Sequence, residues 1–250
     1  MIEVAVSGAA GRLGSVIARG VVNATDMSLT AAYAPGRASE TIAGVASTDD
    51  ADGWKADVVV ECAHPDVVLE NLRRWHGRGL RAVVGTSGFT EQRLEEVRSF
   101  WGVGDPGCLI VPNFSIGAVL MMRLAELAAP HFRTAEVIER HEDVKPDAPS
   151  GTALATAARM AAAGASSAEH SRELVEGARG GAVSGVRVHS LRLEGILSSQ
   201  EVAFANEGEQ FSLVHQSTSY GSFVNGALAA IRYVTATTGV EVGLDAVLRI

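Results

Sequence analysis

The fold is set by residues 2–14, which read Ile2-Glu3-Val4-Ala5-Val6-Ser7-Gly8-Ala9-Ala10-Gly11-Arg12-Leu13-Gly14. A β-branched run typical of a strand ends at Ser7-Gly8, and apolar residues then recur at helical spacing from Leu13 to Val21. Glycines three residues apart allow a tight turn, in which the first N–H groups of the helix can bind a pyrophosphate. The sequence therefore predicts a dinucleotide-binding turn, with an ordinary strand-to-helix turn as the alternative. The predicted cofactor contacts are Gly8, Ala10, Gly11, Arg12 and Leu13.

Strands and helices continue to alternate after this turn. The predicted strands are 29–33, 57–62, 81–84 and 108–111, and the predicted helices are 65–76 and one that begins at Thr90. The hydroxyl of Thr90 can cap the free amides of its helix. Such alternation is typical of a parallel sheet with helices on both faces. We therefore predict an α/β chain whose first domain is a doubly wound, Rossmann-like parallel sheet.

The pattern changes beyond residue 113. The predicted elements there are a helix at 116–129, a strand at 135–140, an alanine-rich helix after 150, a long loop at 164–185 and a helix at 223–234. Three segments, 186–194, 200–205 and 210–215, alternate like antiparallel strands. This pattern predicts a second, α+β domain with a mixed sheet.

The composition of the 250-residue chain is that of a folded enzyme, with 47% hydrophobic and 20% charged residues. A formal net charge of −8 disfavours nucleic acid as a partner. No apolar run approaches the roughly 18 residues of a membrane span and no secretory leader is seen, so we expect a cytoplasmic protein without a membrane partner. Cys62 and Cys108 lie in apolar runs, and we interpret them as core residues rather than metal ligands.

The segment after the second strand bears on the choice of cofactor. It reads Tyr33-Ala34-Pro35-Gly36-Arg37, without the carboxylate that usually binds the adenosine ribose. Arg37, together with Arg12, could face a 2′-phosphate, which favours NADPH over NADH. The alternative is that Arg37 is a solvated loop residue, and NADH stays possible.

A polar stretch before the alanine-rich helix gathers titratable and anion-binding residues. Lys145 follows His141 by four residues, so both can face one small site, in which a charged neighbour suits a histidine proton donor. Ser150, Gly151 and Thr152 place amides and hydroxyls at a helix N-terminus, which suits a carboxylate. Composition alone equally allows a solvated loop with a capping serine.

The run Glu139-x-His141-x-x-x-Lys145-x-Asp147-Ala148-Pro149-Ser150-Gly151-Thr152 resembles the signature of the dihydrodipicolinate reductase family. These are NAD(P)H-dependent enzymes of bacterial lysine and diaminopimelate biosynthesis. Further segments that are similar to the family, in the family's order, are Gly8 to Gly14, Gly85-Thr86-Ser87-Gly88-Phe89, Val111-Pro112-Asn113-Phe114-Ser115-Ile116-Gly117, Gly177-Ala178-Arg179-Gly180-Gly181, His189-Ser190-Leu191-Arg192-Leu193 and Glu201-Val202. The resemblance covers nearly the whole chain.

The resemblance implies roles for several of these residues in the reduction of 4-hydroxy-tetrahydrodipicolinate. His141 would donate a proton, Lys145 would stabilise charge, and the amides of Ser150-Gly151-Thr152 would hold a carboxylate of this small anionic cyclic substrate. The cofactor would also contact Ala63, His64, Gly85, Thr86, Ser87, Pro112, Asn113 and Phe114.

The resemblance further implies a domain division and an assembly. Residues 1–113 and 221–250 would form the dinucleotide-binding domain, because the C-terminal helix of the family returns to it. Residues 114–220 would bind the substrate across a cleft and build a homotetramer through their sheet. No metal is expected.

Departures from the family pattern leave the substrate open. Glu142 stands where a second histidine is usual, Ala63 where a threonine is usual, Ser199 where a histidine is usual, and Tyr220 where an arginine is common. The expected substrate site, which includes Glu142, thus loses positive charge and gains a carboxylate. One alternative is a reductase of a less anionic cyclic imine or unsaturated acid, and another is a non-catalytic NADPH-binding protein.

Overall fold

The computed structural model describes residues 1–250, and the chain divides into two compact units. The first unit comprises Met1–Ile116 and Tyr220–Arg249, and the second comprises Gly117–Ser219 and Ile250. None of the helices has the length and apolar character needed to cross a lipid bilayer.

The first unit is built on an eight-stranded sheet. Its strands are β1 (Ile2–Ser7), β2 (Met27–Tyr33), β3 (Thr41–Ile42), β4 (Val45–Thr48), β5 (Val58–Glu61), β6 (Arg81–Val84), β7 (Cys108–Ile110) and β13 (Val240–Val242). Its helices are α1 (Arg12–Asn23), α2 (Val68–Gly77), α3 (Glu91–Phe100), α6 (Val224–Val234) and α7 (Asp245–Leu248).

The strand order of this sheet is β13-β7-β6-β5-β1-β2-β4-β3, and every pair is parallel except β3 with β4. Strand β2 lies on one side of β1, and the chain later crosses to β5 on the other side of β1. The reversal places a topological switch point between β1 and β5, where sheets of this kind bind ligands at the carboxyl ends of the strands. The predicted doubly wound sheet is confirmed.

Local sequence explains the main elements of the first unit. Val58, Val59 and Val60 of β5 are fully buried, as expected for a strand that helices cover on both faces. The predicted cap of α3 is confirmed, because the Thr90 side chain accepts a hydrogen bond from the Arg93 amide. The indole rings of Trp75 in α2 and of Trp101, the residue that follows α3, pack into the core beside the sheet.

The second unit is built on a five-stranded sheet. Its elements are α4 (Ile116–Ala128), β8 (Thr134–His141), α5 (Gly151–Ala162), β9 (Gly181–Val183), β10 (Val186–Arg192), β11 (Ser198–Asn206) and β12 (Glu209–Ser217). The strand order is β12-β11-β8-β10-β9. Strand β8 runs antiparallel to β11 and parallel to β10, so the predicted mixed sheet is confirmed.

Three details differ from the sequence prediction. Strand β10 was expected to be antiparallel throughout, but it is antiparallel only to β9 and parallel to β8. Residues 181–183 of the expected loop form β9, because they find a partner in β10. Strands β3, β4 and β13 and helix α7 were not predicted, since each is only two to four residues long.

Candidate functional site

The glycine turn leads from the switch-point strand β1 into α1. Gly8 has a φ of +73°, and a Cβ at this position would lie 2.7 Å from the Cys62 carbonyl and the Ala63 nitrogen. A Cβ at Gly14 would overlap the carbonyl oxygen of Gly8. The chain therefore needs glycine here for conformation and for close packing.

The start of α1 is open to an anion. Its N-cap residue is Gly11, which has no side chain to cap the amides, and the first turn has no acidic residue. Arg12 is exposed, and its guanidinium lies 5.8 Å from the ring centre of Tyr220. Uncapped amides and a basic side chain fit the pyrophosphate of a dinucleotide.

Three predicted cofactor residues from different segments meet beside this turn. A Cβ at Gly85 would overlap the ring of Phe114 and lie 3.3 Å from a methyl group of Leu13. Phe114 is only 3% exposed. The carboxyl ends of β6 and β7 thus bring an apolar surface to the first turn of α1.

A second contact joins the ends of β5 and β6. The hydroxyl of Thr86 donates to the carbonyl of Ala63 at 2.9 Å. The amide of Ala63 donates to a carboxylate oxygen of Glu61 at 2.8 Å. On the next loop, the side-chain oxygen of Asn113 accepts from the Ser115 amide at 2.8 Å. These contacts fix the loops around the expected nicotinamide position.

Four other predicted cofactor residues are exposed or only half-buried. The His64 side chain is 73% exposed and lies 3.2 Å from Asp66. Ser87 and Pro112 are exposed, and Ala10 is half-buried in the turn. The structure places them on the loops at the same carboxyl edge of the sheet.

Arg37 lies in the loop after β2 and is paired with Glu40. Its Nη2 is 2.8 Å from the carboxylate, and its Nε also donates to Glu40. The hydrogen bond with Arg37 lowers the pKa of Glu40, and the same contact raises the pKa of Arg37. A carboxylate therefore does follow β2, three residues beyond Arg37.

Glu61 is a buried carboxyl group that sequence reasoning gave no role. It is fully buried at the end of β5, where it accepts from the Trp75 indole and from the Ala63 amide, each at 2.8 Å. Burial raises its pKa, and these hydrogen bonds oppose that effect only in part. Its contact with Ala63 places it directly beneath the expected cofactor loop.

The second unit gathers its predicted residues around Glu139. This fully buried carboxylate of β8 accepts a hydrogen bond from Nδ1 of His141. It accepts two more from the guanidinium of Arg192, at 3.0 and 3.1 Å, and one from the Ser150 amide at 3.3 Å. Burial alone would raise its pKa, but the hydrogen bonds from His141, Arg192 and Ser190 lower it to about 2.

Lys145 lies in the loop after β8. Its Nζ is 2.6 Å from a carboxylate oxygen of Asp147, and its backbone amide donates to the carbonyl of Glu142 at 3.1 Å. The pKa of Asp147 is lowered by the hydrogen bond from Lys145. Arg192 donates to the Asp147 carbonyl, so the loop is connected to Glu139 through that guanidinium.

The N-terminus of α5 is capped as its sequence suggests. The Ser150 hydroxyl accepts from the Ala153 amide at 3.2 Å, while Gly151 is exposed and Thr152 half-buried. The Thr152 carbonyl accepts from Thr156 at 2.8 Å, and Thr156 in turn accepts from Gln200 at 2.7 Å. This helix start is therefore held both by β8 and by β11.

Sequence reasoning missed Glu139 and Arg192 as parts of the site. A signal for Glu139 was present, since it lies two residues before His141 in a strand and therefore on the same face. No local signal identifies Arg192, which reaches Glu139 only because β10 pairs with β8 and sets Arg192 opposite His141.

The fold and the glycine turn are those of a nicotinamide-dependent oxidoreductase. Residues 2–114 match the family model for the N-terminus of dihydrodipicolinate reductase, and residues 117–248 match the model for its C-terminus. The chain belongs to the dihydrodipicolinate reductase family.

Individual proteins agree with this assignment. The chain is 45% identical to 4-hydroxy-tetrahydrodipicolinate reductase of Nocardia farcinica, over 98% of this chain and 97% of that one. It is 41% identical to the enzyme of the same name from Cutibacterium acnes, over 99% of both chains. It is also similar to a solved structure of dipicolinate-bound dihydrodipicolinate reductase from Paenisporosarcina sp. TG-14, with a TM-score of 0.83, 32% identity and coverage of 98% and 99%.

Proposed function

We propose that this chain reduces 4-hydroxy-tetrahydrodipicolinate to tetrahydrodipicolinate with NAD(P)H, in lysine and diaminopimelate biosynthesis. The observation that carries the proposal is that the imidazole of His141 and the Ser150 amide of the α5 N-terminus bind one buried carboxylate, Glu139. This contact supports the proposed role of His141 as proton donor, because the imidazole and a helix start suited to a carboxylate share one partner. Full-length relatives with the corresponding enzyme name support the same reading.

The first unit is proposed to bind the cofactor. The amides at the start of α1 bind the pyrophosphate, and Gly8 and Gly11 allow its close approach. Leu13, Gly85 and Phe114 provide an apolar surface for the nicotinamide, next to the loop of Ala63 and Thr86. When bound, the reduced nicotinamide supplies the hydride.

The second unit is proposed to bind the substrate. The amides of Ser150, Gly151 and Thr152 hold one substrate carboxylate, and the ammonium group of Lys145 stabilises negative charge. The reaction consumes a hydride and a proton and releases the hydroxyl group as water. His141 donates the proton from Nε2, because its Nδ1 is bound to Glu139.

For the cofactor we propose NADPH as the preferred form, with NADH also accepted. Arg37 and Arg12 are the basic residues available for a 2′-phosphate. The bond between Arg37 and Glu40 reduces the charge that Arg37 offers, and Glu40 itself can accept from ribose hydroxyls. We therefore expect a moderate preference rather than an absolute one.

We further propose that the chain forms a homotetramer through the sheet of its second unit. We also propose that it works in the cytoplasm. Strand β12 is an edge of that sheet and carries exposed apolar side chains, including Phe211 at 39% and Val214 at 66%. Exposed apolar edge strands are commonly covered by another chain. Sedimentation equilibrium tests the assembly, and a monomer at micromolar concentration would refute it; fractionation of the producing cells tests the location.

Steady-state kinetics with 4-hydroxy-tetrahydrodipicolinate and each cofactor test the proposed reaction. We expect saturable turnover, and we expect His141→Gln to lower kcat by about 100-fold or more with unchanged NADPH binding. Intact NADPH binding without turnover of this substrate would refute the proposal. Turnover of a monocarboxylic cyclic imine would then indicate that Glu142 has changed the substrate, and no turnover of any imine would indicate a binding protein.

A further inference from the structure

Glu139 has more partners than the neutralisation of one buried charge requires. Its carboxylate is fully buried, and it binds Arg192 through two hydrogen bonds, at 3.0 and 3.1 Å. That fork alone would compensate its charge. Yet His141 and the Ser150 amide also donate to it, from the end of β8 and from the cap of α5. One carboxylate thus joins three separate segments.

The contact with His141 determines where the imidazole carries its proton. An ionised carboxylate has no proton to donate, so Nδ1 of His141 must be protonated to bind it. This holds for the neutral ring and for the imidazolium. Nε2 is therefore the ring nitrogen that can carry a proton to a substrate.

Through its contact with Arg192, Glu139 also influences the loop after β8. Arg192 donates to the carbonyl of Asp147, whose carboxylate lies 2.6 Å from Nζ of Lys145. The Arg192 side chain is 19% exposed, so it is held in the unit rather than free in solvent. The position of the ammonium group at residue 145 therefore depends on the Glu139–Arg192 pair.

We propose that Glu139 is the positioning residue of the substrate site: it fixes the Nδ1–H form of His141 and the Ser150 amide by direct hydrogen bonds, and it fixes the position of Lys145 through Arg192. Glu139 acts through these groups and does not touch the substrate. The inference deepens the proposed function and rests on it for the identity of the reaction, whereas the tautomer it assigns to His141 is independent of any substrate.

The variants must separate this role from folding. Glu139→Gln alone leaves the Arg192 guanidinium without its carboxylate and can prevent folding. The double variant Glu139→Gln with Arg192→Gln replaces the charged pair by two neutral amides of similar size. Glu136→Gln is the matched control, because Glu136 lies on the same strand and also binds an arginine and a histidine, Arg179 and His189.

Two measurements test the proposal on the folded proteins. The first is kcat with 4-hydroxy-tetrahydrodipicolinate, which we expect to fall about 100-fold or more in the double variant. The KM for NADPH should stay within about twofold, because the cofactor residues lie in the other unit. Glu136→Gln should keep the wild-type kcat.

The second measurement is ¹⁵N NMR of the histidine rings across pH 5 to 9, with the His141 signals assigned by their loss in His141→Gln. We expect the Nδ1–H form of His141 in the wild type and in Glu136→Gln, and a mixture of both tautomers in the double variant. An unchanged His141 tautomer in the double variant would overturn the proposal, with or without a loss of kcat. If the wild type does not turn over the substrate, the proposed function fails, while the NMR result still decides the role of Glu139.

Discussion

Glu139 accepts a hydrogen bond from Nδ1 of His141, and the two residues are two positions apart in β8. Alternate residues of a strand share a face, so the backbone itself brings the carboxylate and the imidazole together. Arg192 completes the group from the neighbouring parallel strand, where it pairs in register with His141. The chemistry of the candidate site therefore depends on both strand alternation and sheet order.

Lys145→Ala should lower kcat about 100-fold and leave NADPH affinity unchanged, because it removes a cation proposed to stabilise charge on the substrate. Steady-state kinetics and fluorescence titration of NADPH measure the two effects. Lys55→Ala, at the exposed other lysine, is the control and should behave as wild type. A large loss of NADPH binding in Lys145→Ala would remove this residue from the substrate site.

Glu40→Gln should increase the preference for NADPH over NADH about tenfold, because it releases Arg37 from its carboxylate partner. Arg37→Ala should reduce the preference by a similar factor. The ratio of kcat/KM for the two cofactors is the measurement. Glu96→Gln, which breaks the surface pair with Arg73, is the control. An unchanged ratio in Arg37→Ala would show that Arg37 does not face the 2′-phosphate.

Acid should destabilise the second unit through Glu139. The pKa of this carboxyl is about 2 in the folded chain, below its ordinary 4.5. Its contribution, about 3 kcal/mol, is therefore complete above pH 4.5 and is lost as the pH falls towards 2. Urea unfolding between pH 5 and 2.5 should show a steeper decline for wild type than for Glu139→Gln with Arg192→Gln. Parallel declines would contradict the assignment.

The carboxyl group of Glu61 should give stability a pH dependence opposite to that of Glu139, and Glu61→Gln tests this. Burial raises the pKa of Glu61, so the stability associated with its protonated form is complete below the ordinary value of 4.5 and is lost as the pH rises through the folded value. Glutamine is neutral at every pH, so the variant removes this titration, while its single amide oxygen can accept from only one of Trp75 and Ala63. The variant should therefore gain stability relative to wild type between pH 5 and pH 8, measured by urea unfolding. A stability difference that does not change with pH would argue against a buried titrating carboxyl.

The elements that local patterns control could be read from the sequence. Three features depend on neighbours in the chain: the strand, glycine turn and helix that begin within residues 2–14, the cap at Thr90, and the buried valines of β5. The same holds for the cap of α5, where the Ser150 side chain and the Ala153 amide are three residues apart. Conversely, β9 and β13 are too short to have a periodic pattern, and only their partner strands stabilise them.

Local sequence patterns were sufficient to predict the class of fold, the dinucleotide turn and the polar segment from His141 to Thr152, because short-range periodicity, glycine spacing and helix capping are local properties. The tertiary structure alone decided that β10 lies parallel to β8, that Arg192 reaches Glu139 across 53 residues of chain, and that Glu40 binds Arg37. Alternation shows which face of a strand is buried, but it does not specify the neighbouring strand or its direction. Partners that are distant in the chain are chosen by packing of the whole sheet, and those partners set the charge and orientation of the candidate catalytic groups.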